Sequence, residues 1–238
     1  MKLDILAFAA HPDDIELSCS ATLMKHIAMG KKVGIVDLTQ GELGTRGNVE
    51  SRYAEAAEAS TIMGIHVREN LKLKDGFFDF SEENKRLIIE QIRRFQPEIV
   101  LANAIEDRHP DHGRAAKLVA DACFLAGLRK IETKYAGELQ AAHRPKAVYH
   151  YIQDHYIKPD FIIDVSEYVE RKLEAIKAFK TQFYDPNSIE PATPISGEDF
   201  FDFVKSRMIQ NGRQIGVKYA EGFTSTREIG VNTLFDLL

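Results

Sequence analysis

The sequence predicts a Rossmann-like α/β/α sandwich built on a mostly parallel sheet. Three observations carry that expectation. Short apolar runs of strand length recur along the first two-thirds of the chain, stretches of helical periodicity separate them, and glycine or proline stands just past the helices.

In order, residues 4–10 and 33–38 are apolar runs of the kind that parallel strands buried on both faces require. Residues 66–73 alternate, as an edge or half-buried strand does, and 98–103 are apolar again. Helical periodicity covers 16–29, 49–63 and 81–95, with Gly30, Gly64 and Pro97 as stop signals. Pro110, favoured in a first turn, opens a helix to about residue 126. Strands at 147–153 and 161–165 precede a helix from 167 to about 183. Residues 185–197 hold three of the eight prolines and read as a loop; 197–211 suit one more helix, and the last residues return as extended segments. One domain over 1–238 is expected, with residues from about 185 onward an extension that completes the pocket or oligomer contacts.

The 238 residues are 44% hydrophobic and 28% charged, an ordinary globular composition. With 31 basic against 36 acidic residues the net charge is -5, so no nucleic-acid footprint is expected. The early apolar run at 5–10 is too short for a membrane span or a signal segment. Cys19 and Cys123 stand far apart in no metal spacing. A cytoplasmic enzyme or binding protein is the expectation.

In open α/β sheets ligands sit beyond the carboxyl ends of the strands. Two polar clusters fall there: His11-Pro12-Asp13-Asp14 after the first strand, and Glu106-Asp107-Arg108-His109-Pro110-Asp111-His112 after the strand at 98–103. Right-handed crossovers bring both to one sheet edge, where His, Asp and His make a divalent-metal site with a coordination position left for water. Each residue also has a plainer reading. Asp13 with Glu16 could form a capping box, Asp111 could complement a helix dipole, His109 could cap that helix, and His11 could be a satisfied polar group. The coincidence of two ligand-rich clusters favours the metal, although which of Asp13 and Asp14 would bind it stays open. Residues 39–48 carry three glycines in no phosphate-cradle spacing and suit a mobile pocket rim. His26, His66, His143, His150 and His155 lack ligand-like company.

The two His/Asp motifs together resemble the LmbE-like (PIG-L) family of zinc-dependent N-acetylglucosamine deacetylases. Thr39-Gln40-Gly41-Glu42-Leu43-Gly44, Arg52 followed by Glu55, and Tyr219-Ala220-Glu221-Gly222-Phe223 extend the resemblance. Residues 106–112, Tyr149-His150-Tyr151 and 164–169 are most similar to the branch acting on N-acetylglucosaminyl-malate in bacillithiol biosynthesis. The resemblance implies His11, Asp14 and His112 as ligands of one Zn2+ per chain, with Fe2+ or another divalent ion as alternatives in the cell. It implies Asp13 as general base and His109 as the oxyanion-stabilising group, its protonated form favoured by Asp111. Arg52 is expected to contact substrate, with Arg108 and Arg144 as further candidates for anion contact. The implied partner is a small amino-sugar substrate, and the implied assembly a homo-oligomer such as a hexamer. Three alternatives stand beside this: another N-acetylglucosamine conjugate or a chitooligosaccharide as substrate, a non-haem iron(II) oxygenase using the same triad, and a non-catalytic metal-binding module.

Overall fold

The computed structural model describes residues 1–183 and 188–237, so the first three residues of the expected loop, 185–187, lie outside the described residues. Its elements are β1 (Ile5–Ala9), α1 (Asp14–Ser18), α2 (Ser20–Ala28), β2 (Val33–Thr39), α3 (Val49–Met63), β3 (Val67–Leu73), α4 (Glu82–Phe95), β4 (Ile99–Ala102), α5 (Pro110–Ala126), a small hairpin of β5 (Lys134–Tyr135) and β6 (Glu138–Leu139), β7 (Ala147–Tyr151), β8 (Phe161–Asp164), α6 (Val169–Lys177), α7 (Phe200–Gln214), β9 (Ala220–Ser225) and a closing 3-10 turn at Leu234–Leu237.

The central sheet has the order β3-β2-β1-β4-β7-β9-β8. All its pairings are parallel except those of β9, which runs antiparallel between β7 and β8. Strand side chains alternate between two cores, as a period of two demands. Leu6, Phe8 and Val36 face α4 and α5 on one side, while Ile5, Ala7 and Ile35 face α1 and α2 on the other. A third cluster joins α3, α6 and α7 around Phe179, Phe183 and Phe200. Among the described residues no helix is long and apolar enough to cross a membrane.

The structure revises three expected elements. The helix expected at 16–29 is two, broken where Cys19 takes an extended φ of -139°. The break frees the first amides of α2, and the Glu221 carboxylate from β9 accepts from Ala21 N (3.3 Å) and Thr22 N (2.7 Å) while also pairing with buried Lys172 at 2.6 Å. The helix expected to reach 183 ends at Lys177. The turns beyond it carry Thr181 to Glu55 and Gln182 to Arg52. The hairpin at 134–139 was not expected; its Ala136-Gly137 corner has φ of 50° and 87°, the conformation two-residue hairpins favour.

Arg68 on β3 holds the α1 face to the sheet through two buried carboxylates, Glu16 at 2.6 Å and Asp37 at 2.8 and 3.0 Å. Burial pushes both carboxyl groups up despite that cation. Arg68→Met strands two acids in the interior and is expected to destabilise the protein by about 3–5 kcal/mol. The urea midpoint should fall accordingly, and an unchanged midpoint would show the cluster to be dispensable.

Candidate metal centre

The sheet order reverses between β1 and β4, and the two polar clusters leave the carboxyl ends of those neighbouring strands. The imidazoles of His11, His109 and His112 consequently meet, with ring centroids 4.6, 5.6 and 5.2 Å apart. Metal-ligating atoms of those three histidines lie within 4.8 Å of one another, as do those of His11, Asp75 and Asp111.

The His11 and His112 imidazoles are oriented from behind by carboxylates. His11 Nε2 lies 3.0 Å from Asp75 Oδ1 and 3.4 Å from Asp111 Oδ2, and His112 Nδ1 lies 2.5 Å from Asp107 Oδ2. The opposite nitrogens face Asp14: His112 Nε2 is 3.1 Å from its Oδ1, and His11 Nδ1 is 3.8 Å from its Oδ2. Asp14 is fixed by His11 N, Asn103 Nδ2 and Gln153 Nε2, all at 2.9–3.0 Å. Burial alone would raise the Asp14 pKa, but the His112 and His11 imidazoles hold it well below the usual carboxylate range. His11 Nδ1, His112 Nε2 and one Asp14 oxygen are thus candidate donors, the two imidazoles backed by carboxylates, and their chemistry fits a divalent ion of the zinc type.

Asp13 stands apart from this set. It precedes α1 as its N-cap, but its side chain makes no capping bond, and Glu16 pairs with Arg68 instead, so the capping-box reading fails. Its φ of 121° is a conformation that side chains with a Cβ rarely adopt, and holding it costs about 1–3 kcal/mol. The carboxylate meets Arg52 Nη1 at 3.0 Å. Burial pushes the Asp13 pKa well above the usual carboxylate range; Arg52 opposes that and Asp14 adds to it.

Arg52, expected to grip substrate, is engaged here within the protein. Nη1 also donates to Pro12 O at 2.7 Å, and Nη2 donates to Gln182 Oε1 at 2.5 Å. The glycine-containing segment lies directly over it: a Cβ at Gly44 would sit 3.1 Å from Arg52 Nη2. This segment lines the pocket as expected, but it is tied down, with Leu43 N donating to Asp75 Oδ2 (2.9 Å) and Glu42 Oε1 accepting from Asp75 N (2.8 Å).

His109 differs from its expected state. Its Nδ1 accepts from Asp111 N at 3.2 Å, leaving Nε2 as the N–H donor of a neutral ring. The Asp111 carboxylate turns away, toward His11, Gly76 N and Arg114. Burial and the His11 and His112 imidazoles lower the His109 pKa, and the Asp111 charge opposes that shift while its carboxylate contacts His11. Arg108 pairs with Asp154 at 2.8 Å on the cavity wall, whereas Arg144 donates to Phe124 O near the end of α5. Of the remaining histidines, His26, His66, His143 and His150 bond to main-chain groups, and the His155 main-chain N donates to Asp107.

A cavity of about 460 Å³, ample for a sugar-sized ligand, opens over the centre. Its far wall is α7, with Phe200, Phe203, Val204, Arg207 and Met208. Asp75, Asn103, Gln153 and Arg207 were not singled out from the sequence, and Asp107 appeared only as a member of the second cluster. Asp75, Asn103 and Gln153 follow the carboxyl ends of β3, β4 and β7, so the strand-end rule applied to every strand would have found them.

Residues 6–123 match the PIG-L family, described as GlcNAc-PI de-N-acetylase. The chain is 27% identical over 228 residues to the diacetylchitobiose deacetylase of Thermococcus kodakarensis, covering 92% of this chain and 81% of that protein. It is 29% identical over 195 residues to a probable N-acetyl-α-D-glucosaminyl L-malate deacetylase 2 of Bacillus anthracis, covering 75% of this chain and 81% of the other. The solved structure of a conserved protein from Thermus thermophilus superposes with a TM-score of 0.85 at 35% identity, over 97% of this chain and 98% of that one. Sequence match and shared architecture agree: the chain belongs to the PIG-L, or LmbE-like, deacetylase family.

Proposed function

We propose that this chain is a zinc-dependent hydrolase that removes the acetyl group from an N-acetylglucosamine conjugate, with N-acetylglucosaminyl-malate as the favoured substrate. The observation that carries the reading is a donor set of His11, Asp14 and His112 beside a second carboxylate, Asp13, that the set does not need. Family membership and the named activities of the relatives support it. The tied glycine-containing rim and α7 wall a cavity large enough for the sugar and part of its aglycone, with Ile195 and residues 220–222 among the rest of its lining.

His11, Asp14 and His112 would hold a divalent ion, which when bound would supply Lewis acidity and lower the pKa of water. The protein's own groups do the rest. Asp13 Oδ, whose raised pKa suits a base working near neutrality, takes a proton from the attacking water and delivers one to the leaving amine. Arg52 fixes Asp13 through a bond that also anchors Pro12. His109 donates from Nε2 to the carbonyl oxygen as negative charge builds there, a task that a neutral imidazole can perform. An oxygenase built on the same triad would leave Asp13 without a task.

Acetate release from N-acetylglucosaminyl-malate by zinc-loaded protein tests the reading. No release from that compound, from diacetylchitobiose or from free N-acetylglucosamine would overturn it. The position of Arg52 adds a sharper expectation. Arg52→Lys cannot reproduce the fork that joins Pro12 O, Asp13 and Gln182, so kcat should fall by about tenfold or more with KM within about twofold. A raised KM at unchanged kcat would return Arg52 to substrate binding.

A further inference from the structure

We propose that Arg207 on α7 is a specificity residue that reads an anionic group, a carboxylate or a phosphate, on the aglycone of the substrate. The inference rests on the deacetylase reading for the identity of the sugar, but not for the anion itself.

The first argument is position. The Arg207 guanidinium donates through Nη2 to the main-chain oxygen of Asp154. The preceding residue, Gln153, donates to Asp14 and lies 3.2 Å from His112 Nε2. Arg207 is thereby linked to the donor set through Asp154 and Gln153, on the wall of the same cavity. Its guanidinium lies 4.8 Å from the centroid of the Phe203 ring, which restricts the side chain to the cavity wall.

The second argument is charge. Asp154 and Asp107 are the carboxylates whose charge reaches Arg207, and both are engaged elsewhere. Asp154 pairs with Arg108 Nε at 2.8 Å, and Asp107 accepts from His112 Nδ1 and from His155 N. Among the described residues Arg207 has no carboxylate oxygen within 4.0 Å, so this wall sets two guanidinium groups, Arg108 and Arg207, against the Asp154 carboxylate. Burial lowers the Arg207 pKa, and the charges of Asp154 and Asp107 oppose that shift.

The third argument is setting. Phe200, Val204 and Met208 on the same wall cannot solvate an anion, so a negative group entering there finds its cationic hydrogen-bond donors in the guanidinium groups of Arg207 and Arg108, with the Asn211 amide as a neutral donor beside them. An uncharged oligosaccharide would leave that cation unused. The substrate class that fits is an N-acetylglucosaminide with a carboxylate or phosphate on its aglycone.

The test compares kcat/KM for the malate glycoside, a phosphodiester-linked glycoside and a neutral methyl glycoside on zinc-loaded protein. The ratio of the better anionic substrate to the neutral one should be about tenfold or more, and it should fall by at least about tenfold in Arg207→Gln and recover in part in Arg207→Lys. Whichever glycoside loses more identifies the anion. Equilibrium binding of L-malate and of inorganic phosphate, measured by titration calorimetry, tests Arg207 without turnover and should weaken in Arg207→Gln for the same anion. A wild-type ratio near one, or a ratio that survives in Arg207→Gln while both rates drop, would overturn the assignment and make Arg207 a support for the 152–154 segment. Unaltered anion binding in the variant would overturn it too. Absence of acetate release from all three glycosides, with anion binding still dependent on Arg207, would sink the deacetylase reading and leave this inference standing.

Discussion

His112→Ala is expected to remove bound zinc and turnover together, with kcat/KM falling by roughly three orders of magnitude or more, as befits loss of Lewis acidity worth several kcal/mol. The reason is local. His112 Nε2, one of the three proposed donors, lies 3.1 Å from Asp14 Oδ1, and its Nδ1 is held 2.5 Å from Asp107. Truncation removes the donor and also leaves the buried Asp107 carboxylate without its imidazole. His11→Ala should behave alike, since Asp75 and Asp111 orient that ring in the same manner. Asp107→Asn supplies the graded comparison: the donor remains, its orientation weakens, and affinity for the metal should drop by about 10–100-fold. Elemental analysis together with acetate release reads both quantities. Full, tightly held zinc in both alanine variants would remove these histidines from the ligand set.

Asp13→Asn is the second large effect, and its signature differs. The amide keeps the shape of the side chain and its contact with Arg52, and no atom of the donor set is altered. Zinc content should therefore hold, while kcat falls by about 10²–10⁴-fold through loss of the proton acceptor. Metal analysis on the same preparation separates the two variants. Near-normal turnover in Asp13→Asn would mean that another group moves the proton and that Asp13 serves only the start of α1.

Much of the architecture was readable from period and punctuation. The runs around β1, β2 and β4 are apolar because both faces of each strand are covered, and Gly64 ends α3 in the left-handed conformation it was expected to supply. Both His/Asp motifs were visible because strand ends concentrate polar chemistry. What was hidden depends on partners remote in the chain. The break at Cys19 answers a carboxylate 200 positions away in sequence from Ala21, and helical periodicity carries no trace of it. The early end of α6 serves Glu55 and Arg52. The state of His109 turned on one main-chain bond that reversed an expectation drawn from neighbouring charge alone. Arg207 lay in an amphipathic helix, where an arginine reads as a solvated residue until the wall behind it is known.

The antiparallel strand β9 has a consequence for how the chain acquires its fold during synthesis. Among the described residues strand β8 pairs with β9 alone, and the chain between them contains α7. A nascent chain that has emerged as far as β8 therefore has a strand with no neighbour to zip onto, and the contact that closes the sheet is of long sequence separation. The parallel half, β3-β2-β1-β4-β7, can assemble first on the ribosome, bringing the histidines of the centre together before the cavity has its far wall. Arrival of α7 and β9 then completes the sheet, the wall and the Glu221 lock on α2 in one late event, so that a half-made chain carries the clustered histidines without the pocket beside them.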